Sequence, residues 1–491
     1  MNTEGLNEIV IIGAGFSGLG MAIALKKRGL DDFVILEKAA EVGGTWRENT
    51  YPGCACDIMS LLYSYSFEPK SDWSRMFPRQ DEILTYIKDC VRKYDLERHI
   101  RFGTEVAGAE YDDDTATWQV LIADGSVVRG RAVMSGMGPL HIPSIPDLPG
   151  LSSFAGKTFH SARWDHSYDL TGKRVAVIGT GASAIQFVPQ IARQVAELTV
   201  FQRTPPWIIP KADRRITDLE RRLFRSVPGV QRAYRNGIYW FQESFVLGFE
   251  HPRLLKLASG LAARHLRRQV RDPELVGKLT PDYTMGCKRT LVSSDYYPAF
   301  NRPNVKLETS GIASVGENSI TTRDGREYDV DAIIFGTGFM VTEAMAGAHI
   351  VGRHGLKIQD AWKDGINAHL GVTIAGFPNL FLLIGPNTGL GHNSMIFMIE
   401  AQVRYVLRCL EMARARGATT ISVRPAAQHR FNDWVQRKSG RVVWTTGGCT
   451  SWYLDEQGKN RAAWPASTIT YWLRTRRLRP ADFEFSFDTR Q

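Results

Sequence analysis

Two glycine-rich hexapeptides have the residue types and the spacing of phosphate-binding loops. Gly13-Ala-Gly-Phe-Ser-Gly18 follows the apolar run 8–12, and Gly179-Thr-Gly-Ala-Ser-Ala184 follows a second apolar run, 174–178. The first glycine of such a loop permits a tight turn, the second admits a pyrophosphate to the backbone, and the last position needs a small residue for helix packing. A helix N-terminus behind each loop favours phosphate. The chain is therefore predicted to bind two dinucleotides.

The two loops differ in the residue that ends the following strand. Glu37 lies 24 residues beyond Gly13, and Arg203 lies 24 residues beyond Gly179. A carboxylate at this place bonds ribose hydroxyls and repels a 2′-phosphate, which suits FAD. A guanidinium instead favours a 2′-phosphate, so the second loop is predicted to bind NADPH in preference to NADH.

These loops require an α/β fold with two Rossmann-like dinucleotide-binding domains. The FAD-binding domain is expected to occupy residues 1–150, ending in a proline-rich connection, and to resume at 372–491 with the strand-like run 379–384. The NADPH-binding domain is expected over 151–371, closed by the apolar run 331–335. Residues 213–275 lack strand alternation and predict a helical insert in that domain.

Composition limits the other possibilities. A length of 491 residues with 43% hydrophobic residues fits two or three globular domains, and the apolar runs are shorter than the roughly 18 residues of a membrane span. No leader sequence is evident, so a cytoplasmic location is expected, without an integral membrane segment. The net charge of +10 could suit nucleic acid or an anionic membrane. The Arg-rich stretches 264–271 and 474–479 are interpreted as solvated faces, so no nucleic-acid partner is expected, whereas membrane contact and oligomeric state stay open.

The six cysteines match neither a disulfide framework nor zinc spacing. They are expected to be free thiols, and no metal is expected.

A segment before the second glycine loop identifies a family. Phe154-Ala-Gly156-Lys-Thr-Phe-His160-Ser-Ala-Arg-Trp164-Asp165 resembles the fingerprint of Baeyer–Villiger monooxygenases, with four fixed residues over eleven positions. His160 and Trp164 are expected to set domain orientation and not to act on substrate.

Other segments resemble the same family. Residues 43–57 resemble its flavin-wrapping stretch, 286–289 its active-site arginine segment, 385–394 its late flavin-domain loop, and 451–465 its C-terminal segment. The resemblance implies that Trp46 contacts flavin and that Trp452 meets NADP. By the same match Lys288 assists Arg203 and Thr204 on the 2′-phosphate.

The resemblance implies an NADPH- and O2-dependent flavoprotein monooxygenase that turns a hydrophobic ketone into an ester or lactone through a C4a-peroxyflavin. Arg289 would be the catalytic cation and Asp57 would face the nicotinamide and position the guanidinium. The cofactor-binding residues expected in all are Gly13, Gly15, Ser17, Gly18, Glu37, Thr45, Trp46, Asp57, Tyr63, Val106, Gly179, Thr180, Gly181, Ala182, Ser183, Gln186, Arg203, Thr204, Lys288, Arg289 and Trp452.

Several alternatives stay open. A flavin-containing monooxygenase that oxygenates nitrogen or sulfur would share both loops. A disulfide oxidoreductase would need paired redox cysteines, and Cys54-x-Cys56 lacks their usual spacing. A binding protein without turnover is the third alternative, and purification without tight FAD would favour it. The motifs do not specify which ketone reacts. The aromatic residues of 239–249 are interpreted as helix core rather than an access route, and loop 440–455 is a candidate to order on nicotinamide binding.

Overall fold

The computed structural model describes residues 5–341 and 347–487, and the N-terminal glycine loop belongs to its larger sheet. The strands of this sheet, from one edge to the other, are His349–Val351, Val106–Asp112, Thr117–Ile122, Val127–Ser135, Leu6–Ile12, Phe33–Leu36 and Ile100–Arg101, with Leu380–Leu382 also paired to Val127–Ser135. The strand before the loop is parallel to both of its neighbours. Its last four residues are buried, as a parallel strand covered on both faces requires.

The second glycine loop belongs to a five-stranded sheet. Its strand order is Val305–Glu308, Glu197–Phe201, Arg174–Ile178, Ala332–Phe335 and Lys157–His160, and every pairing is parallel. Smaller pairings join Ile312–Val315, Ser319–Thr322 and Glu327–Asp329, then Thr420–Val423 with Phe483–Ser486, and Ile208–Ile209 with Leu291–Val292. The prediction of an α/β fold with two dinucleotide-binding units is confirmed.

Helices connect and cover these sheets. The α-helices of the described residues are Phe16–Lys26, Thr45–Glu48, Gln80–Lys93, Ala184–Ile191, Asp218–Ser226, Val230–Ser244, Val246–Glu250, Pro252–Gln269, Pro273–Leu279, Tyr296–Ala299, Ile358–Ala361, Met395–Arg414, Pro425–Ser439, Val443–Thr446 and Thr468–Arg476. Short 3-10 turns lie at Glu97–His99, Leu151–Ser153, Ser161–Arg163, Arg353–Gly355 and Pro480–Asp482. Among the residues described, no helix is both long and apolar enough to cross a membrane.

The helices of residues 213–275 stand between two strands of the five-stranded sheet, Glu197–Phe201 and Val305–Glu308. Two short strands that flank these helices in sequence, Ile208–Ile209 and Leu291–Val292, pair in parallel. The pairing brings the chain after the insert back beside the segment that follows Arg203. Residues 286–289 are thereby placed near the second glycine loop.

The chain returns to the larger sheet in two steps. Strand His349–Val351 pairs with residues 108–110 of that sheet, and strand Leu380–Leu382 pairs with Val133 to Ser135. The second pairing lies within the apolar run 379–384, and the first lies before residue 371. The domain boundary expected between residues 371 and 372 stays a prediction.

The expectation of six free thiols is wrong for two cysteines. Cys287 and Cys449 form a disulfide, with their Cα atoms 6.1 Å apart, whereas Cys54, Cys56, Cys90 and Cys409 are free and buried. The two partners are separated by 162 residues, so their spacing carried no signal. They meet because the N–H of Thr284 donates to the carbonyl of Gly447 at 3.1 Å, which ties their segments together.

Candidate active site

The three glycines of the first loop have three different surroundings. A Cβ on Gly18 would lie 1.9 Å from the carbonyl oxygen of Gly13, so helix and strand approach this closely only because residue 18 has no side chain. A Cβ on Gly13 would lie 2.8 Å from the carbonyl oxygen of Gly136. The nearest atom to a Cβ on Gly15 is 3.7 Å away, on Gly44, so backbone here is open to a phosphate group. These glycines fit a dinucleotide.

Glu37 lies at the mouth of this loop and is 5% exposed. Its carboxylate accepts the N–H of Ala14 at 2.8 Å and the N–H of Ala39 at 3.0 Å. Arg47 donates to the same carboxylate at 3.0 Å. Arg47 was not identified from the sequence, although it belongs to the flavin-wrapping motif. The carboxylate of Glu37, which is predicted to bind the ribose hydroxyls of FAD, is therefore held in one position.

Three other expected FAD residues surround the same loop. Ser17 is buried in the first turn of the helix behind it, and Thr45 begins the short helix that follows Gly44. The N–H of Thr104 donates to the carbonyl of Glu37 at 2.9 Å, which places Val106 close to the strand end.

Trp46 and Tyr63 form an aromatic wall beside the loop. The indole N–H of Trp46 donates to the hydroxyl of Tyr63 at 3.1 Å, and the two rings meet edge to face with centroids 5.5 Å apart. Phe16 packs on the other edge of Tyr63, also at 5.5 Å. Burial raises the pKa of Tyr63 well above its ordinary value, so the phenol keeps its proton. A planar ring system fits such a wall.

Asp57 and Arg289 are 232 residues apart in sequence and form an ion pair. The Nε and Nη2 atoms of Arg289 donate to one oxygen of Asp57, at 3.0 and 2.6 Å, and its Nη1 donates to the carbonyl of Leu390 at 3.1 Å. The side chains of Arg289 and Asp57 are 31% and 27% exposed. The carboxylate of Asp57 raises the pKa of Arg289 above its ordinary value. The guanidinium is thus a permanent cation held from two sides.

The second glycine loop repeats the geometry of the first. Gly179 has φ +105°, and a Cβ there would lie 2.5 Å from the carbonyl oxygen of Gly336. Ala184 is fully buried, and its Cβ is 3.1 Å from the position a Cβ on Gly336 would take. The backbone at Gly336 therefore has little room for a side chain beside Ala184. Gly181 and Ala182 are exposed and Ser183 is half-buried, so the loop presents its backbone outward.

Arg203, Thr204 and Lys288 lie together at the end of the neighbouring strand. The hydroxyl of Thr180 donates to the carbonyl of Thr204 at 3.3 Å, which ties the loop to this strand end. Burial lowers the pKa of Lys288, and the positive charge of Arg203 lowers it further. The ammonium group of Lys288 is 5.2 Å from the ring centre of Tyr283. The positive charges of Arg203 and Lys288 repel each other, and a bound dianionic phosphate would offset that repulsion.

Gln186 is engaged with the flavin-wrapping stretch. Its side-chain amide donates to the carbonyl of Ala55 at 3.0 Å and accepts the N–H of the same residue at 3.2 Å. Tyr51 also donates to it at 3.2 Å. A Cβ on Gly53 would lie 2.9 Å from the carbonyl oxygen of Gln186. Gln186 therefore connects the two dinucleotide units, a contact that its predicted cofactor role did not include.

The C-terminal segment places Tyr453 beside Arg289, whereas the neighbouring Trp452, which is predicted to meet NADP, is exposed. Trp452 is 51% exposed, whereas the adjacent Tyr453 is 3% exposed. Burial raises the pKa of Tyr453 and the positive charge of Arg289 opposes that rise, because the two groups are neighbours. No role was predicted for Tyr453 from its residue type and spacing. The disulfide of Cys287 with Cys449 holds this segment to the residues preceding Arg289.

A buried carboxylate joins the insert to the late flavin-domain loop. Glu243 is 4% exposed and accepts bonds of 2.7 Å from the amide of Asn393 and from the N–H and hydroxyl of Thr468. His392 lies 3.4 Å from the same carboxylate. Leu390, whose carbonyl accepts a hydrogen bond from Arg289, belongs to the same loop as Asn393. The position of Glu243 in an apolar, aromatic helix gave no signal of these contacts.

The fingerprint residues are structural. His160 is 2% exposed, and its Nδ1 accepts the N–H of Ala162 at 3.1 Å. The ring of Trp164 packs against Phe159 at 5.1 Å and against Phe187 at 5.3 Å. The fingerprint therefore packs the edge strand of the five-stranded sheet onto the helix behind the second glycine loop. Its role in setting domain orientation stays a prediction.

Comparisons with known proteins agree with this geometry. Residues 6–218 match the family model described as flavin-binding monooxygenase-like. The structure resembles cyclohexanone monooxygenase from Rhodococcus sp. Phi1 bound to NADP+, with a TM-score of 0.88 and 29% identity over 98% of this chain and 99% of that one. It also resembles OTEMO in complex with FAD and NADP, with a TM-score of 0.87, 29% identity and the same coverage.

The sequence similarity extends over nearly the whole chain. A Baeyer-Villiger monooxygenase of Pseudomonas aeruginosa is 52% identical over 473 residues, which are 96% of this chain and 90% of that protein. Two glycine loops, an arginine fixed by Asp57 and a paired cation site beside the second loop accompany this similarity. The chain belongs to the family of the Baeyer–Villiger monooxygenases.

Proposed function

We propose that the chain is an NADPH- and O2-dependent flavoprotein monooxygenase that inserts one oxygen atom beside the carbonyl of a hydrophobic ketone and releases an ester or lactone. The observation that carries this proposal is the guanidinium of Arg289, held by Asp57 and by the carbonyl of Leu390. Bound FAD, once reduced by NADPH, supplies the activation of O2.

The residues of the first loop would hold FAD. The open backbone at Gly15 would receive the pyrophosphate, Glu37 the ribose, and the wall of Trp46 and Tyr63 the flavin end. Gly179 to Ser183 would hold the pyrophosphate of NADPH, with Arg203, Thr204 and Lys288 at its 2′-phosphate.

Arg289 would stabilise the negative charge that develops during the reaction. Oxygen insertion beside a carbonyl places negative charge on the carbonyl oxygen as its carbon becomes tetrahedral, and a guanidinium that cannot lose its proton stabilises that charge. Asp57 engages Nε and Nη2 and leaves Nη1 on the carbonyl of Leu390, so the group has little freedom to rotate. A preoriented cation needs no reorganisation during the reaction.

The test is aerobic consumption of NADPH by the purified FAD-containing protein with linear, cyclic and aryl ketones, with products identified by gas chromatography and mass spectrometry. We expect esters or lactones with one added oxygen and little turnover with NADH. Oxygenated amines or sulfides without any ester would favour a heteroatom monooxygenase. A protein purified without tight FAD would contradict the proposal.

A further inference from the structure

Exposed apolar side chains are concentrated in the helical insert. Ten of the twenty large hydrophobic residues that are exposed in the described part of the chain fall within residues 213–275. They are Leu219, Leu223, Val227, Tyr234, Trp240, Phe241, Leu247, Leu254, Leu257 and Leu261. Trp240 and Phe241 are 59% and 55% exposed, so the interpretation of this aromatic stretch as helix core is wrong for these two. A soluble surface rarely gathers apolar groups in this way without a partner.

Helix Pro252–Gln269 carries the most regular part of this surface. Leu254, Leu257 and Leu261 are 52%, 78% and 63% exposed, and their spacing of three and four residues puts them on one face. Arg264 and Arg268 continue the same face toward the C-terminus and are also exposed. The opposite face is buried and consists of Leu255, Ala262 and Leu266. We call the face of the five exposed residues the Leu-Arg face.

The insert has a net positive charge. Residues 213–275 contain thirteen Arg and Lys against seven Asp and Glu, which is six of the chain's ten net positive charges. Helix Pro252–Gln269 contains no acidic residue. Two of the acidic groups of the insert pair with cations outside it, Asp213 with Arg75 and Glu250 with Lys438, and Glu220 pairs with Arg214 near its start, away from the Leu-Arg face. The field over this surface is therefore positive.

We propose that the Leu-Arg face docks onto the surface of an anionic lipid bilayer, lying in the interface without crossing it. Leucine side chains on one face enter the boundary between headgroups and acyl chains, and arginines on the same face bind anionic headgroups. Leu247 in the preceding helix is also 52% exposed, and that helix packs closely on Pro252–Gln269, where a Cβ on Gly248 would lie 2.7 Å from Leu255.

The charge pattern favours lipid over the other occupants. In a symmetric dimer through this face, the arginines of one copy would lie against either the arginines or the leucines of the other, and the helix offers no carboxylate to pair with them. Nucleic acid would suit the arginines but leave the exposed leucines in contact with phosphates and water. An anionic bilayer accepts both kinds of side chain.

The inner side of the insert contacts the candidate active site. The ring of Phe249 lies 5.6 Å from that of His392 and 5.5 Å from that of Trp444. A bilayer bound at the Leu-Arg face would thus contact the same helical unit that lines the site. Docking itself does not depend on the proposed reaction.

The experiment is flotation of the full FAD-containing chain with vesicles of equimolar phosphatidylglycerol and phosphatidylcholine, and with vesicles of phosphatidylcholine alone. We expect binding to the anionic vesicles that weakens as salt is added. Replacing both leucines in the double variant Leu257→Glu/Leu261→Glu should weaken it at least about tenfold, because two exposed leucines no longer leave water. Arg264→Gln/Arg268→Gln should weaken anionic binding selectively.

The matched control is Ile145→Glu, which changes a residue 53% exposed outside the insert and should bind as wild type does. Retained flavin absorbance shows that each variant is folded. The proposal is overturned by absence of binding to either vesicle, or by equal loss in the control. It is also overturned if sedimentation velocity shows a dimer that Leu257→Glu dissociates while vesicles do not bind, which would assign the face to a second copy.

Discussion

Arg289 has a fixed position because each of its donating nitrogen atoms already has a partner in the protein. Asp57 takes two of the three bonds and Leu390 the third. Arg289→Ala should keep FAD bound and lower ketone oxygenation at least about a hundredfold, by analogy with the loss of one donor to a developing oxyanion. Steady-state ester formation, with flavin content measured alongside, checks this.

Arg289→Lys is the matched variant for that measurement. A lysine keeps the charge but cannot bond Asp57 and the Leu390 carbonyl together in a planar fork, so we expect an intermediate rate. Ester formation by Arg289→Ala at the wild-type rate would assign the cation's role to another residue.

The cation pair at the second glycine loop should decide which nicotinamide is used. Arg203→Gln and Lys288→Gln should each raise the KM for NADPH by about tenfold or more, since each removes a charge-assisted bond, and leave the KM for NADH unchanged. Arg129→Gln, at an exposed position of the larger sheet, is the control. An equal rise of both KM values would show that these residues act on folding or on a feature shared by the two nucleotides.

At the scale of elements, the disulfide determines how firmly the loop 440–455 is held. Cys449→Ser should free this loop from the segment that precedes Arg289 and lower the free energy of unfolding by about 2 to 5 kcal/mol. Limited trypsin digestion should then cut faster after Arg441, which is exposed. Wild-type protein treated with reductant should match the variant, and unchanged digestion in both would contradict the tether.

At the scale of the whole molecule, two buried histidines tie stability to pH. Burial lowers the pKa of His160 and of His369 to about 4, against roughly 6.5 in the unfolded chain. The unfolded state therefore binds more protons than the folded state between these values, and the free energy of unfolding falls as pH falls from about 6.5 to 4.

His369→Phe should remove part of this dependence, up to about 3 kcal/mol between pH 6.5 and 4, because phenylalanine takes no proton. Denaturant titrations at several pH values measure it, with the exposed His429→Gln as control. If the slope for His369→Phe equals that of wild type, His369 is not a source of the acid sensitivity.

The sequence alone determined the features that depend on local spacing. The two glycine loops, the offsets to Glu37 and Arg203, and the small residue at Ala184 follow from what a strand, a turn and a helix must do around a phosphate, and all of that information lies within about 25 residues. The family motifs added Asp57 and Arg289, which the structure joins.

Only the tertiary structure decided what depends on distant segments meeting. The carbonyl of Leu390, the buried Tyr453, the carboxylate of Glu243 and the partner of Cys287 lie 100 or more residues from their counterparts or have no distinctive spacing. The same holds for surface exposure: Trp240 and Leu257 are apolar residues in helices, and a helix does not reveal which face its neighbours cover. The pattern of hydrophobic residues indicates which side chains favour burial, but the packing of helices and strands determines which side chains are buried.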